Sequence, residues 1–516
     1  VTPYLRDGGF RVGSVEETGR RDLGRLRWTV DEPEDLEFVR SVYERIPAGS
    51  TSFEDVLALL EEEPELMQRN QGIMRNEGYY ISLADDPAGV PAVRSLERST
   101  ELKQRAEALI PSCTQTFSKG PTQFVQGVAP AFLERGSGSH VWDVDGNEYI
   151  DYVMALGAVV LGHAYPPVDE AVARRIADGV AFSLPHPLEL ELAELLVELV
   201  PSAEMVRYGK NGSDATSGAV RAARAFTGRD VVVCCGYHGW QDWYIGTTTR
   251  SAGVPDAVAG LTKTFRYNDP ESLVRVLSEH RGRVAAVILE PFGVVDPEPG
   301  FLERVQQLAR DAGALLIFDE VVTGGRYAVA GGQEIFGVTP DLSAFGKAYG
   351  NGYPIAAVVG RRDVMAVFDE IFFSFTFGGD TVGLAAAIAT LHELVDRDVP
   401  ARLAEQGRKL QDGYNALAAH FGLADRTRCI GRPARTVITF RDADGHESLE
   451  LKSLFQQEVI RRGVLCAGYH NLSFAHSDAD IERTLLAYRA ALEVMASGDP
   501  SDLLEGEPVQ PVFRAF

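Results

Sequence analysis

Lysine is scarce in this sequence. Of its 50 cationic Lys and Arg residues only seven are lysine: Lys103, Lys119, Lys210, Lys263, Lys347, Lys409 and Lys452. Cations are short altogether. Against 74 Asp and Glu they leave a formal net charge of −24. That balance excludes a nucleic-acid polymer as partner, because no basic footprint offsets the phosphate repulsion. Cysteine is rare too, and five in 516 residues make no disulfide framework. Cys234 and Cys235 sit in an apolar run as small buried hydrophobes, and no Cys-x-x-Cys pair offers a zinc site. No apolar run reaches the roughly 20 residues of a membrane span, and no basic-then-apolar leader opens the chain. A reduced, cytoplasmic setting is expected. The first residue is Val rather than Met, so the chain is expected to be part of something longer. Its 45% apolar and 24% charged residues are an ordinary globular balance.

Residues 31–65 are acidic, with Leu36, Val39 and Val42, then Phe53, Val56, Leu57 and Leu60, at helical spacing. Two short amphipathic helices are predicted, the second capped by Thr51 or Ser52. Residues 84–93 read as a linker. Beyond them helices alternate with short apolar strands, clearest at Val231–Cys235, Val284–Leu289, Leu315–Phe318 and Ile355–Val359. This predicts an α/β domain with a mostly parallel central sheet. After about residue 386, helices bracket the strand Thr436–Phe440 in a smaller α+β lobe. Residues 498–516 read as a tail over the surface.

Four segments carry chemistry. Met205–Tyr208 runs as a strand into Asn211-Gly-Ser-Asp and then a helix, a turn whose backbone amides and helix dipole can hold a phosphate. Gly236-Tyr-His-Gly-Trp follows a strand end, where open α/β sheets bind ligands. Tyr237 there can stack on a flat heteroaromatic ring, and His238 beside it joins the cofactor-binding set, although a histidine alone is more often structural. Asp319 ends the apolar strand of Leu315-Leu-Ile-Phe-Asp. A buried carboxylate needs a partner, and a protonated pyridine nitrogen supplies one. Lys347, in Phe345-Gly-Lys-Ala-Tyr-Gly, lies among small residues in a confined setting that favours a neutral amine able to form a Schiff base. Lys210 stands beside the phosphate turn. The remaining lysines fall on polar helices or irregular segments. Together these features fit pyridoxal 5'-phosphate (PLP).

Residues from about 94 to 497 resemble the class III aminotransferases of PLP-dependent fold type I, in particular the glutamate-1-semialdehyde aminomutase-like subgroup. The resemblance rests on VWDVDGNEYIDY (141–152), NGSDA (211–215), YHGW (237–240), ILEP (288–291), FDEVVTG (318–324), FGVTPDL (336–342), FGKAYGNGYP (345–354) and FTFGG (375–379). It implies a small domain begun by 94–150, a PLP-binding large domain over 151–385 and a small-domain return over 386–497. It further implies that Lys347 is the Schiff-base lysine and proton shuttle. Asp319 would pair with the pyridine nitrogen, Tyr237 and Val321 would cover the two ring faces, and Gly212 and Ser213 would bind the phosphate. Thr376 would reach the phosphate of a neighbouring subunit, which implies a homodimer with sites at the interface. Glu290 is implied to lie near the cofactor. The chain departs from the aminomutase in two places. Ser118-Lys-Gly-Pro-Thr-Gln-Phe lacks the arginine that binds the substrate carboxylate there, and Leu156 stands where the aminomutase pocket has tryptophan. A different substrate is expected. Arg435, His470, Asn471 and His476 are candidate substrate contacts.

Residues 27–46 (Arg-Trp-Thr-Val-Asp-Glu-Pro-Glu-Asp-Leu and onward) are similar to the end of a bacterial cytidylyltransferase, without its nucleotide loop. Residues 1–83 are therefore read as the C-terminal remnant of such a domain. This fusion suggests amination of a keto-sugar or secondary-metabolite carbonyl in a pathway linked to CMP activation, with a small-molecule substrate, nucleotide-linked in one reading. The alternatives are a PLP-dependent decarboxylase of a CMP-linked amino acid phosphonate, a glutamate-1-semialdehyde-type aminomutase, and a non-catalytic PLP-fold partner of a nucleotidyltransferase.

Overall fold

The computed structural model describes residue 30 and residues 33–46, 53–69 and 95–511. The proposed caps Thr51 and Ser52, the linker 84–93 and residues 1–29 lie outside the described residues. The chain divides into two compact units, Val1–Gly89 and Val90–Phe516. In the first, α1 (Pro33–Tyr43) and α2 (Phe53–Glu62) form as the apolar spacing predicts. Their apolar faces close a small core of Phe38, Val42, Ile46, Leu59, Leu60 and Leu66. Glu37, Glu44, Glu61, Glu62 and Glu65 stay exposed, where hydration is retained, whereas Asp35 is buried.

In the second unit the helix Glu97–Leu109 precedes three antiparallel strands, β1 (Leu133–Ser137), β2 (His140–Asp143) and β3 (Glu148–Asp151). The central sheet follows: β4 (Met205–Gly209), β5 (Val231–Cys235), β6 (Thr262–Thr264), β7 (Val284–Leu289), β8 (Leu315–Asp319), β9 (Leu342–Phe345) and β10 (Ala356–Gly360). Its order is β4-β10-β9-β8-β7-β5-β6. Strands β5 to β9 pair in parallel, and β10 alone runs against its neighbours β4 and β9. Strands β7 and β8 are buried at every residue, as expected of strands covered on both faces. One face packs on helix α3 (Gly212–Thr227), whose Ala215, Ala219, Ala222 and Ala223 allow a close approach to Ile288 and Ile317. The other packs on the helix Phe301–Asp311 through Phe301, Leu302, Val305 and Ala309. The long helix α4 (Thr381–Asp396) follows β10.

The sequence predicted one strand in the small lobe, and the structure holds more. β11 (Thr427–Ile430), β12 (Arg435–Phe440) and β14 (Tyr469–Asn471) make a three-stranded antiparallel sheet. The two-residue β13 (Val464–Leu465) runs parallel to β3 and joins the first sheet. Such short strands carry too few residues for a period-two pattern to show. Helices α5 (Leu449–Arg461) and α6 (Asp478–Ser497) back these sheets. The tail crosses α5, where Gln457 donates to Leu503 O at 3.0 Å and Arg461 pairs with Glu505. Farther along, Gln510 N donates to Thr122 O at 2.8 Å.

Candidate active site

The C-terminal ends of β4, β5, β7, β8 and β9 open on one edge of the central sheet. A cavity of about 290 Å³ lies there, lined by Lys210–Ser213, Tyr237–Gly239, Glu290, Asp319, Val321 and Lys347 among others. Each lining group stands within a few residues of a strand end, so the sheet itself gathers them.

The β4 end turns into α3 through a reciprocal cap. Asn211 Oδ1 accepts from Asp214 N at 3.0 Å, and Asp214 Oδ2 accepts from Lys210 N at 2.9 Å and Asn211 N at 3.2 Å. The first-turn amides of Gly212 and Ser213 precede the helix's own hydrogen bonds and border the cavity. The backbone is tightly cradled. A Cβ on Gly212 would stand 2.8 Å from Val321 Cγ1, and one on Gly239 (φ +103°) would overlap Ser213 Oγ. Thr216 Oγ1 donates to His238 O at 2.8 Å and ties the next loop to the same helix.

At the β8 end, Asp319 is 3% exposed. Its Oδ2 lies 2.8 Å from His238 Nδ1, and its Oδ1 accepts from Val321 N at 3.1 Å. His238 Nε2 faces Cys235 O at 3.1 Å, so the imidazole is held between that carbonyl and the carboxylate. Trp243 stacks beside the imidazole and Tyr244 meets it edge-on. Glu290 follows β7. Burial raises its carboxyl pKa, and the neighbouring Asp319 adds to the shift. Gly236 (φ +108°) makes room for it, since a Cβ there would stand 2.9 Å from Glu290 Oε2. Lys347 follows β9 with φ +43°, a left-handed conformation that is strained for a side-chain-bearing residue. Burial lowers its pKa, while Glu290 and Asp319 favour the charged form.

A lysine whose pKa burial lowers, a carboxylate–imidazole pair and an amide-lined turn thus meet in one cavity. The Aminotransferase class-III family model matches residues 124–474. The chain belongs to the class-III aminotransferases. It is 37% identical over 408 residues to 3-aminobutyryl-CoA aminotransferase of Cloacimonas acidaminovorans (strain Evry), covering 77% of this chain and 97% of that protein. It is 39% identical over 429 residues to glutamate-1-semialdehyde 2,1-aminomutase of Sorangium cellulosum (strain So ce56), covering 76% and 96%. Among solved structures, the FumI protein of Sphingopyxis sp. MTA144, in its PLP internal aldimine form, matches with a TM-score of 0.73. That match has 31% identity and covers 79% of this chain and 99% of that one.

The cofactor of class-III aminotransferases is PLP, and this cavity's donor set fits it. The open first-turn amides suit a phosphate, the Asp319–His238 pair suits a ring nitrogen, and Lys347 suits the aldehyde.

The aminotransferase brings together Gly212, Ser213, Tyr237, His238, Glu290, Asp319, Val321 and Lys347. Tyr237 remains half exposed. Other expected residues lie elsewhere. Thr376 is exposed, on the stretch before α4 and away from the cavity lining. Leu156 sits in a left-handed turn, with Met154, Ala155 and Leu156 all at positive φ, and the nearby Ala158 lines the cavity. Arg435 begins β12 half-buried, and its charge acts on Glu290 and Lys347.

His470 and His476 lie away from the cavity lining. Both are fully buried in the small lobe. Thr436 Oγ1 and Tyr488 OH each lie 2.6 Å from His470, whose pKa burial lowers to about 3. His476 stacks on Tyr152 and accepts from Ser473 N at 2.9 Å, and burial lowers its pKa to about 4. Asn471 is buried as well, donating to Val153 O at 3.0 Å. Asn471 likewise lies outside the cavity lining, and His476 Nε2 and Asn471 Oδ1 are buried without a hydrogen-bond partner.

Sequence reasoning passed over Glu320 and Arg326. Glu320 is buried beside Asp319. It accepts from Gly332 N at 2.7 Å and Gln333 N at 2.9 Å, and burial pushes its carboxyl up to about 7. Arg326 is buried among three carbonyls, those of Gly157, Ala434 and Leu472, and so ties the left-handed turn to both sides of the small-lobe sheet. The available signal was charge beside glycine in Asp319-Glu-Val-Val-Thr-Gly-Gly-Arg.

Proposed function

We propose that this chain transfers an amino group between an amino acid donor and the carbonyl of a small molecule, with Lys347 as the reacting lysine. The carrying observation is that Lys347, Glu290 and the Asp319–His238 pair converge on one cavity beside the amide-lined turn. PLP, when bound, supplies an electrophilic carbon and an electron sink. Lys347 Nζ, shifted toward its neutral form by burial, takes and returns the proton at the substrate Cα. Asp319, aligned by His238 and Val321 N, holds a proton at the ring-nitrogen position. Gly212 and Ser213 seat the phosphate, Tyr237 and Val321 bound the ring site, and Glu290 lies at its side. Arg435 is the proposed partner for a substrate anion, because the stretch from Ser118 to Phe124 offers no arginine.

The same reading extends to assembly. Phe182, Leu184, Phe372 and Phe377 are large exposed apolar residues, and such exposure marks interaction surfaces. We propose a homodimer, with Thr376 reaching the partner's site. No helix of the described residues is long and apolar enough to cross a membrane. The similarity of residues 27–46 to a cytidylyltransferase end supports a keto-sugar or secondary-metabolite substrate whose amine is then activated with CMP.

The protein is to be incubated with amino donors, candidate keto-sugars and CTP, and the products read by mass. An aminated product with equimolar keto acid supports the reading. CO2 without keto acid favours decarboxylation, and conversion without any donor favours an aminomutase.

A further inference from the structure

Lys210 is a second lysine in the cofactor cavity, and none of the roles above uses its side chain. Its Nζ donates to Asp380 Oδ2 and, at 3.1 Å, to Pro354 O. The two side chains of this ion pair are 17% and 11% exposed. Asp380 works in two directions. Its Oδ1 caps α4 by accepting from Val382 N at 3.1 Å and Gly383 N at 3.0 Å. Gly383 is small for a reason, since a Cβ there would stand 2.7 Å from Pro354 O and 2.9 Å from Lys210 Nζ. The Lys210 main-chain N–H meanwhile donates to Asp214 Oδ2, the oxygen that also closes the cap over Asn211. One residue therefore joins the amide-lined turn to the start of α4, and Lys210 and Pro354 both line the cavity.

We propose that Lys210 is a positioning residue of the phosphate seat, which braces the Asn211–Ser213 turn against α4 and keeps a cation at its edge, so that the cavity discriminates phosphorylated from unphosphorylated cofactor. The physical basis is additive. Asp380 offsets part of the ammonium field, and the remainder adds to the partial positive charge of the α3 first turn, while a braced turn presents its amides without reorganisation on binding. A lysine serving stability alone would give no preference between the two cofactor forms.

The test uses the full chain, freed of cofactor and titrated separately with PLP and pyridoxal while bound cofactor is read by absorbance. Wild type is expected to prefer PLP. Lys210→Met is expected to weaken PLP binding by about 10- to 100-fold and leave pyridoxal within about twofold. Lys210→Arg is expected to recover part of the loss. Lys210→Gln keeps hydrogen-bonding capacity toward Asp380 and Pro354 without the charge, and it replaces the Met variant if that fails to fold. An unchanged PLP-to-pyridoxal ratio in the charge-free variant overturns the proposal, as does an equal loss of both ligands. The inference rests on the phosphate seat proposed for Gly212 and Ser213. A wild type indifferent to the phosphate refutes that seat as well, whereas a wild type and a variant with the same preference for PLP refute the role of Lys210 alone.

Discussion

Two buried clusters in this protein contain histidine, and they are built for opposite ends. At the edge of the central sheet, His238 lies between a carbonyl and the Asp319 carboxylate, and a cavity opens beside the pair. In the small lobe, His470 is enclosed by Thr436 and Tyr488, and His476 by Tyr152 and Ser473. The first cluster sets a carboxylate beside the imidazole at the wall of the cavity. The second has hydroxyl partners and burial deep enough to lower the imidazole pKa values to about 3 and 4. A buried polar residue is thus informative only with its partners. Carboxylate and cavity together indicate chemistry, whereas hydroxyls and aromatic faces indicate a satisfied core.

Replacement of Lys347 gives the sharpest contrast. Lys347→Ala should lower turnover by about 10,000-fold with little change in the melting temperature. Asp319→Asn should cost about 100-fold or more, because the paired charge facing the ring nitrogen is lost, and steady-state rates check both. His470→Phe should do the reverse. Loss of its partners leaves the Thr436 and Tyr488 hydroxyls unpaired, at a cost of about 1–3 kcal/mol in denaturant titrations, with turnover per folded molecule unchanged. A large fall in turnover for His470→Phe would break the comparison.

The histidines of the small lobe also predict opposite pH responses. His470 and His476 have folded-state pKa values below the unfolded 6.5. The unfolded chain therefore takes up protons first as pH falls, so stability is full above about pH 6.5 and drops toward pH 4. The slope is about 1.4 kcal/mol per pH unit for each histidine. His140 runs the other way. Its hydrogen bond to Asp480 raises its pKa against the opposing effect of burial. Its contribution is present below the unfolded value and is lost as pH rises through the folded one. Denaturant midpoints across this range should show the acid-side loss, and His140→Gln should remove only the smaller alkaline-side change.

Legibility followed the same division. Strand ends carrying Asn211–Asp214, Tyr237, Asp319 and Lys347 were readable, because a small or polar residue interrupts an apolar strand where the backbone leaves the sheet. The central strands were readable from their unbroken apolar runs. The partners of His470 were not, since Thr436 and Tyr488 are distant in sequence and meet only through β12 pairing with β14 and the packing of α6. Lys210 was seen beside the turn, but its partner Asp380 lies beyond β10, and no local pattern joins them. Arg326 was missed because three carbonyls from three separate segments satisfy it.

The central claim is that amino transfer runs through Lys347 in the sheet-edge cavity. Its most direct test is a single-turnover reaction of the PLP-loaded protein with an amino donor, with keto acid and CO2 measured together for wild type and Lys347→Ala. The account predicts one equivalent of keto acid per site, no CO2, and no keto acid on this timescale from the variant. CO2 without keto acid, or a variant that reacts as fast as wild type, would contradict it.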